Sequence, residues 1–491
     1  MTISNAPAPN PDLLRAAVAH LGPTLPLLTE LGAAFAEAGH ELALVGGPVR
    51  DAFLGRTSPD LDFTTSARPD DTERILKAWA DTTWAIGKAF GTIGAHKGAT
   101  TVEVTTYRAD AYDGVTRKPI VAFGERLEDD LFRRDFTINA MALRLPTLEF
   151  IDPYGGLADL AARKLRTPSA PEISFGDDPL RMMRAARFAA QLRFTIVADA
   201  AEAIEAMAAT IGIVSAERVR DELSKLLLSG APRLGLAVLV DGGLAAHVLP
   251  ELPALQLEID EHHRHKDVYE HSLTVLDQAI ELEGPPAGPP DSVPGPDLIL
   301  RLAALLHDIG KPATRRFEGG GGVSFHHHES VGARLARNRL RALRYDKETV
   351  AAVTRLVELH LRFHGYGDGG WTDSAVRRYV TDAGPLLPRL HRLTRADCTT
   401  RNVRKAKRLA ATYDALEGRI ETLLEAEELG KVRPELDGFA IAQILGITPG
   451  PVLGRAYAHL LTVRLDEGPL GVDAATERLL TWWAAQPESR S

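Results

Sequence analysis

Two stretches near the N-terminus decide the fold: ELALVGGPVRD (41–51) and PDLDFTT (59–65). ELALV predicts a short buried strand, and LDFTT, rich in β-branched residues, predicts a second one. Between them, GGPVRD predicts a turn that opens a helix, because Pro48 suits the first helical position, where its missing N–H costs nothing. Residues 13–40 predict a helix that ends at Gly39, and the chain therefore has a strand-rich domain directly after it.

The Gly-Gly turn is a candidate phosphate site. Gly46 and Gly47 would let backbone N–H groups approach a triphosphate without obstruction by side chains. Arg50 could add a charged clamp, with Asp51 beside it. A Gly-Gly turn by itself is usually only a turn, so this prediction depends on the residues that follow.

Paired carboxylates come next. Asp60 and Asp62 stand two residues apart on a predicted strand, so both side chains point to one face. Two such carboxylates repel unless a cation lies between them, and this arrangement suits Mg²⁺ ions that assist attack on a nucleotide α-phosphate. Glu103, in the predicted strand TVEVTTY (101–107), is a candidate third carboxylate. The alternative is a solvated acidic strand end.

A third motif, RRDFTINAMAL (133–143), places cations and amides beside an apolar run. Arg134 would suit a phosphate contact and Asn139 a sugar contact, with Asp135 between them. The patterns G-G-x-x-R-D, D-x-D and R-R-D-F-T-I-N-A, in this order, resemble the class II tRNA nucleotidyltransferase and bacterial poly(A) polymerase family of the polymerase-β superfamily. The resemblance covers about residues 25–260 closely and the rest loosely.

The segment GDDPLRMMRAARFAA (176–190) predicts a helix that begins at its acidic residues and proline. Asp178, Arg181 and Arg184 step by three along one face, and Arg187 continues the series. A carboxylate can accept the exocyclic amino group of cytosine or adenine, and a guanidinium can donate to the ring nitrogen. Asp178 and Arg181 stand where the family has its E-D-x-x-R base reader, although Asp177 replaces the leading glutamate. The alternative is a surface ion pair.

The segment SAERVRDEL (215–223) is similar to the family's E-R-x-x-x-E motif. Resemblance implies that Glu217 and Arg218 brace the preceding helix, a structural role rather than a chemical one.

Histidines concentrate in the second half of the chain, and their order H…HD…H…H…D resembles the HD phosphohydrolase superfamily. The resemblance implies that His271, His307, Asp308 and Asp397 hold one divalent metal, while His328 and His360 serve a second. Imidazole and carboxylate ligands suit Mn²⁺, Ni²⁺ or Fe²⁺. The polar cluster of His262, His263 and His265 is interpreted as solvated surface.

Composition excludes several classes of protein. The 491 residues are 45% hydrophobic and 25% charged, as in ordinary globular chains, and the single cysteine, Cys398, excludes an internal disulfide. A formal net charge of −9 argues against a protein that simply coats nucleic acid. The sequence contains no uninterrupted apolar run of about 18 residues, so a membrane span is not expected. We expect a cytoplasmic protein, and the sequence leaves its oligomeric state open.

The predicted fold class is α+β: a polymerase-β-like, mixed-sheet head, then an all-α neck, an HD body and a helical tail. The predicted boundaries are 25–165 for the head, 166–255 for the neck, 256–400 for the HD domain and 401–491 for the tail. EGPPAGPPDSVPGP (283–296) predicts an exposed loop inside the HD domain. The basic run RNVRKAKRLA (401–410) and the stretch 436–456 are candidate tRNA contacts.

The expected activity is template-independent addition of C, C and A to the 3′ end of tRNA, with CTP, ATP and Mg²⁺. The nearest alternatives are a poly(A) polymerase and an enzyme that adds only A or only CC. The loop at 109–127 is expected to govern the change of base. An alternative of another class is an HD phosphohydrolase whose head only binds nucleotide, and the intact D-x-D motif argues against it. A third, a pure RNA-binding protein, leaves both metal patterns unexplained.

Overall fold

A computed structural model describes residues 11–57, 60–108, 123–256, 267–289, 292–318, 323–365, 371–400, 402–427 and 433–490. The chain divides into two compact units, one ending at Val248 and one beginning at Leu249. None of the helices in these ranges is both long enough and apolar enough to cross a membrane.

The first unit contains a mixed sheet and twelve α-helices within the described ranges. Its strands are β1 (Leu42–Val45), β2 (Asp60–Thr65), β3 (Thr82–Trp84), β4 (Thr92–Lys97), β5 (Thr100–Thr106), β6 (Ala142–Leu145), β7 (Glu149–Ile151), β8 (Lys164–Leu165) and β9 (Thr195–Ile196). Its helices are α1 (Pro11–His20), α2 (Leu25–Glu37), α3 (Gly47–Phe53), α4 (Pro69–Trp79), α5 (Leu127–Phe132), α6 (Gly156–Ala162), α7 (Pro171–Asp177), α8 (Leu180–Leu192), α9 (Ala198–Met207), α10 (Ala216–Leu227), α11 (Pro232–Asp241) and α12 (Ala245–Val248).

Seven strands form one sheet in the order β3-β4-β5-β2-β1-β6-β7. Only the β2–β5 pair is parallel, and the other neighbours are antiparallel, so the sheet is mixed. The three strands predicted at 41–45, 61–65 and 101–107 form β1, β2 and β5, which lie side by side at its centre. A core cluster that includes Val45, Tyr107 and Leu131 packs against one face. The α+β fold class is confirmed.

Two helix boundaries differ from those predicted. The predicted helix over 13–40 is two helices, α1 and α2, with a 3-10 turn at Gly22–Thr24 between them. Gly22 and Pro23 explain the interruption, because both residues disfavour a helix interior. The helix predicted to begin at the acidic residues and proline of 176–190 begins directly after them: Asp177 ends α7, and α8 begins at Leu180.

The described part of the second unit is mainly helical. Its helices are α13 (Val268–Glu281), α14 (Leu298–Leu306), α15 (Lys311–Thr314), α16 (His328–Ala342), α17 (Lys347–Leu359), α18 (Asp373–Ala383), α19 (Leu387–Ala396), α20 (Val403–Glu427), α21 (Gly438–Leu445), α22 (Pro451–Glu467) and α23 (Val472–Ala484). Two short strands, β10 (Arg316–Phe317) and β11 (Val323–Ser324), pair antiparallel.

The proline-rich segment 283–296 has no α-helix in its described residues, as predicted, but its ends are anchored. Glu283 forms a buried ion pair with Arg301, and Val293 is 1% exposed. The basic run lies at the start of a helix: α20 begins at Val403, and its residues Arg404 and Lys405 are exposed. The histidines at 262, 263 and 265 and residues 109–122 of the predicted selector loop lie outside the described ranges.

Candidate active site and metal centre

The predicted carboxylates of the head come together through strand pairing. Asp62 of β2 lies opposite Glu103 of the parallel strand β5, and both side chains are exposed. Their neighbours Leu61 and Phe63 are buried, as the two-residue alternation of a strand requires. Asp60 starts the same strand opposite Thr101, and its side chain lies outside the description. Carboxylate oxygens gathered on one sheet face fit a hard cation such as Mg²⁺.

The glycine turn is built by a backbone that requires glycine. Gly46 has φ 73° and caps α3, a conformation in which an L side chain is strained. A Cβ on Gly46 would lie 3.2 Å from Nη1 of Arg134, so the turn brings the first and third motifs together. Gly47 is the first residue of α3, and a Cβ there would lie 3.8 Å from Nη2 of Arg50.

Arg50 and Asn139 are buried and bonded to each other. Arg50 donates from Nη1 to Oδ1 of Asn139 at 2.8 Å, and from Nε to Oδ1 of Asp51 at 2.9 Å. Asn139 donates in turn to Oδ1 of Asp135 at 3.0 Å. A direct contact of Arg50 or Asn139 with a nucleotide therefore stays a prediction, while their observed partners join α3 to the RRDFTIN motif.

Asp130, which the sequence analysis did not single out, organises the two arginines of that motif. Its carboxylate is 0% exposed. Arg133 lies 2.8 Å from Oδ1 and Arg134 lies 3.2 Å from Oδ2. Burial by itself would raise the pKa of Asp130, but the two guanidinium groups outweigh it and lower that pKa. The pair of arginines is thus held by one ionised carboxylate.

Asp135 connects the sheet to the helices of the neck. It accepts a hydrogen bond from Nε of Arg184, on α8, at 2.7 Å. Burial opposes ionisation of this carboxyl, but Arg184 and Asn139 outweigh burial and hold the pKa of Asp135 far below its usual range. On α10, Glu222 accepts from Nε of Arg187 at 2.5 Å and lies 3.7 Å from Arg184. Arg187 therefore stands in the structural part of this network.

The two predicted base readers lie near each other but are anchored separately. Asp178 has an extended backbone between α7 and α8, and its Oδ2 accepts from Arg218 at 2.7 Å. Arg181 donates from Nη1 to Oγ of Ser174 at 2.9 Å and from Nη2 to the backbone oxygen of Arg133. Arg218, predicted to brace the preceding helix, therefore binds Asp178 directly.

A pocket of about 300 Å³ gathers these groups. Its lining residues are Thr105, Arg108, Arg133, Arg134, Asp135, Asp178, Leu180, Arg181, Arg184 and Arg218. Six of the ten are arginines, so the pocket is strongly cationic and fits a polyphosphate. Five of the ten were predicted, and the other five are Thr105, Arg108, Arg133, Leu180 and Arg218. Two features of the sequence could have indicated members of this second set. Arg133 stands directly before Arg134 in the RRDFTIN motif, and Arg218 lies in the E-R-x-x-x-E segment.

The predicted HD residues converge in the second unit. Within the described ranges, two groups of three could each hold a metal: His271 with His307 and Asp397, and Asp308 with His328 and His360. Nε2 of His271 lies 3.3 Å from Nε2 of His307 and 3.0 Å from Oδ1 of Asp397. Asp308 joins the groups, since its Oδ2 lies 3.2 Å from His307 and its Oδ1 lies 3.3 Å from His328.

Three of these histidines are oriented in the same way. The Nδ1 atoms of His307, His328 and His360 lie 2.8, 2.8 and 2.6 Å from the backbone oxygens three residues upstream. A ring whose Nδ1–H donates to a carbonyl presents Nε2 as the free lone pair, as metal-binding histidines do. In the described part of the chain, Nε2 of His360 is buried without a hydrogen-bond partner. This donor set fits a divalent transition metal.

The electrostatics of the cluster follow from burial and close charges. Burial, with His307 nearby, lowers the pKa of His360 to about 3. Burial would also lower the pKa of His307, but Asp308 and Asp397 outweigh it and raise that pKa to about 9. Burial would raise the pKa of Asp308, yet His307 and Lys311 hold it well below its usual value. The carboxylates of the cluster are therefore ionised and able to bind a cation.

Three family profiles match successive parts of the chain. Residues 42–166 match the poly A polymerase head domain, residues 193–255 match the probable RNA and SrmB-binding site of polymerase A, and residues 268–402 match the HD domain. A solved structure of Bacillus stearothermophilus CCA-adding enzyme in complex with CTP superposes with a TM-score of 0.66 at 22% identity. It covers 94% of this chain and 97% of its own. That likeness establishes a shared fold.

Curated relatives extend the match to nearly the full length. An A-adding tRNA nucleotidyltransferase of Deinococcus radiodurans is 34% identical over 90% of this chain and 96% of its own. A CC-adding tRNA nucleotidyltransferase of Thermus thermophilus is 31% identical over 91% and 94%. A CCA-adding enzyme of Levilactobacillus brevis is 42% identical over 42% of this chain and about half of its own length. The class is that of nucleotidyltransferases with an HD domain. The chain belongs to the tRNA nucleotidyltransferase family, a family that implies a divalent metal.

Proposed function

We propose that this chain adds C, C and A to the 3′ end of tRNA, using CTP and ATP and releasing pyrophosphate. The observation that carries the proposal is the pocket with six arginines in the unit whose sheet presents Asp62 and Glu103 on one face. Family membership supplies the class of acceptor, and the pocket supplies a site for the triphosphate.

The carboxylates and the arginines of the head have different proposed roles. Asp60, Asp62 and Glu103 would hold Mg²⁺, which when bound would offset the negative charge of the reacting phosphate. Arg134, fixed by Asp130, is suited to bind the departing pyrophosphate oxygens. Catalysis would come mainly from positioning and electrostatics, because in-line transfer to a 3′-hydroxyl needs no covalent intermediate on the protein.

Base selection falls to Asp178 and Arg181. Cytosine and adenine both carry an exocyclic amino donor beside a ring-nitrogen acceptor, which a carboxylate and a guanidinium can satisfy together. Uracil and guanine present a carbonyl and a ring N–H instead. A mismatched base would leave polar groups unpaired at roughly 1–3 kcal/mol each, enough to discriminate without a template.

Three acceptors test which nucleotides the enzyme adds: tRNA lacking CCA, tRNA ending in C and tRNA ending in CC. A CCA-adding enzyme extends the first two with CTP and completes the third with ATP. The relatives that match over nearly their full length favour a second candidate, addition of only A or only CC. An A-only enzyme would use only the third acceptor, and a CC-only enzyme would never incorporate A. Long oligo(A) tails on arbitrary RNA would contradict the tRNA-specific proposal.

Replacing one carboxylate tests the proposed metal site of the head. Asp62→Ala should abolish nucleotide addition and leave the melting temperature nearly unchanged, because the side chain is exposed. Asp71→Ala, which removes a carboxylate from α4 that pairs with Arg74, is the matched control and should keep full activity. Addition that survives in Asp62→Ala would refute the assignment of the D-x-D motif.

The HD cluster supports a second activity, a metal-dependent phosphohydrolase. His271, His307, Asp308, His328, His360 and Asp397 would hold Mn²⁺, Ni²⁺ or Fe²⁺, which when bound would activate water toward a phosphoester. Elemental analysis and hydrolysis of 2′,3′-cyclic AMP test this directly. His328→Ala should reduce bound metal and hydrolysis, whereas His327→Ala, whose side chain is 85% exposed, should change neither. Equal metal content in both variants would refute the ligand set, and metal without hydrolysis would leave the cluster structural.

A further inference from the structure

Four residues stand in one row across the sheet of the first unit. Trp84 of β3 pairs with Gly94 of β4, which pairs in turn with Glu103 of β5. Glu103 pairs with Asp62 of β2. Residues directly opposite each other on neighbouring strands point to the same face of a sheet. Trp84 therefore lies on the face that carries the proposed metal ligands, two strands away from Glu103.

The lack of a side chain at Gly94 lets the indole of Trp84 lie across β4. A Cβ on Gly94 would overlap the indole atoms Cε2, Cζ2 and Nε1. Gly94 is buried, although Asp62 and Glu103 on the same face are exposed, because the indole covers it. Strand spacing places a ring over β4 about 5 Å from β5. The indole thus extends toward Glu103, and Trp84 remains partly exposed.

A histidine holds the indole from another side. His96 follows Gly94 by two residues on β4 and so points to the same face. The ring centroids of Trp84 and His96 are 4.6 Å apart. Nδ1 of His96 lies 3.0 Å from Oγ1 of Thr101, so the imidazole is itself anchored. The indole is therefore an aromatic surface that is ordered before any ligand binds, which lowers the entropic cost of binding.

The order of strands indicates which substrate this surface meets. Arg134, proposed to bind the departing pyrophosphate, lies beside Gly46, directly after β1. Strands β2 and β5, with their carboxylates, lie between β1 and the edge formed by β4 and β3. In-line transfer places the entering hydroxyl and the leaving pyrophosphate on opposite sides of the phosphorus. The RNA acceptor therefore belongs on the side of Trp84.

We propose that Trp84 is a stacking platform for the 3′-terminal base of the RNA acceptor, an inference that rests on the proposed function. Every base has a π-face, so an indole can hold the terminal base without reading its identity. This tolerance suits an acceptor whose last base changes as nucleotides are added. Stacking on Trp84 would place the ribose of that nucleotide, with its 3′-hydroxyl, next to Glu103. Asp178 and Arg181 would serve the other substrate, the incoming nucleotide.

The test separates the two substrates of the reaction. In Trp84→Leu, which keeps apolar bulk over Gly94, KM for a tRNA acceptor should rise about tenfold, because base–aromatic stacking has that strength. KM for the incorporated nucleotide at saturating tRNA should stay near the wild-type value. Trp84→Phe should restore much of the acceptor affinity. Thr83→Ala is the matched control, since Thr83 precedes Trp84 on β3 and points to the opposite face.

A second acceptor, identical but without a base on its 3′-terminal ribose, identifies the group that Trp84 contacts. The wild type should bind this abasic acceptor about tenfold more weakly, whereas Trp84→Leu should bind both acceptors alike. A smaller folded fraction does not change KM, so a loss of stability does not imitate this result.

Equal increases in KM for both acceptors in Trp84→Leu would overturn the proposal, because the indole would then contact something other than the terminal base. An unchanged acceptor KM would also overturn it, as would an equal rise in KM for the nucleotide, which would mark Trp84 as packing within the sheet. A wild-type protein that adds no nucleotide to any acceptor would instead refute the proposed function, on which the platform depends.

Discussion

At the scale of single residues, the clearest contribution to stability is that of one buried carboxylate that pairs with two arginines. Asp130 is fully buried and bonded to Arg133 and Arg134. Asp130→Asn keeps the shape but removes the charge, so both guanidinium groups lose their anionic partner. We expect the free energy of unfolding to fall by about 2–3 kcal/mol, with a higher KM for the nucleotide. Urea denaturation and steady-state kinetics measure the two effects.

Asp129→Asn is the matched control for this prediction, since Asp129 is the adjacent residue of α5 and is exposed. It should leave both stability and KM close to the wild-type values. If Asp130→Asn lowers stability but leaves KM unchanged, the two arginines do not depend on Asp130 to bind nucleotide, and their orientation has another source.

The residue scale is also where sequence reasoning has its limits. The residue types of the motifs could be recognised from their order and spacing. The hydrogen bond between Arg50 and Asn139 could not, because it joins residues 89 positions apart. Arg218 was not assigned to the pocket for the same reason, because its partner Asp178 lies 40 positions away. The partners of Asp130 are only three and four positions away, but the sequence does not show that this carboxylate is buried.

At the scale of elements, the two adjacent glycines at the start of α3 have different backbone conformations and different surroundings, although the sequence motif does not distinguish them. Gly46 has φ 73° and a potential Cβ contact at 3.2 Å, whereas a Cβ on Gly47 meets nothing closer than 3.8 Å. Gly46→Ala should cost about 1–2 kcal/mol of stability, because an L residue is strained in that conformation. Gly47→Ala should be neutral or slightly stabilising, because alanine favours a helix. Thermal denaturation of both variants gives the comparison.

Nucleotide addition by the same two variants separates packing from binding. Unchanged activity in Gly47→Ala would mean that only Gly46 needs to be a glycine. Lost activity at normal stability would support the prediction that both glycines let the backbone approach the triphosphate. A Gly46→Ala variant as stable as the wild type would contradict the strain argument.

Elements were predictable where the sequence pattern is local and strong. Strand β1 follows from a short apolar run and strands β2 and β5 from β-branched sequence, and the pairing of β2 with β5 brings Asp62 opposite Glu103. Helix boundaries were less predictable. Pro179 suggested a helix start at the acidic residues before it, but Asp178 adopts an extended backbone and its side chain accepts from the nitrogen of Leu180. Asp178, the second residue of the acidic pair, therefore marks the beginning of α8 through this bond.

At the scale of the whole molecule, the order of the functional motifs along the chain was predictable from the sequence, but the buried ionisable groups that affect stability were not. The head, neck and HD motifs occur in sequence, and the pocket arginines resolve the conflict between a net charge of −9 and an RNA substrate by concentrating positive charge locally. Buried ionisable groups stabilise the two units differently. The first unit depends on ionised carboxylates such as Asp130, and the second contains a buried neutral histidine, His391.

These groups predict that acid weakens the two units over different pH ranges. Burial lowers the pKa of His391 to about 4, so the unfolded chain binds a proton that the folded unit excludes. His391 alone should therefore cost the second unit up to about 3 kcal/mol as the pH falls from 6.5 to 4. The lowered pKa of Asp130 should weaken the first unit only below about pH 4. Hydrogen exchange measured on peptides of each unit resolves the two losses. His391→Gln should remove the contribution of this histidine to the upper loss, whereas the exposed His327→Gln should retain it; equal pH slopes in both variants would show that another group carries the effect.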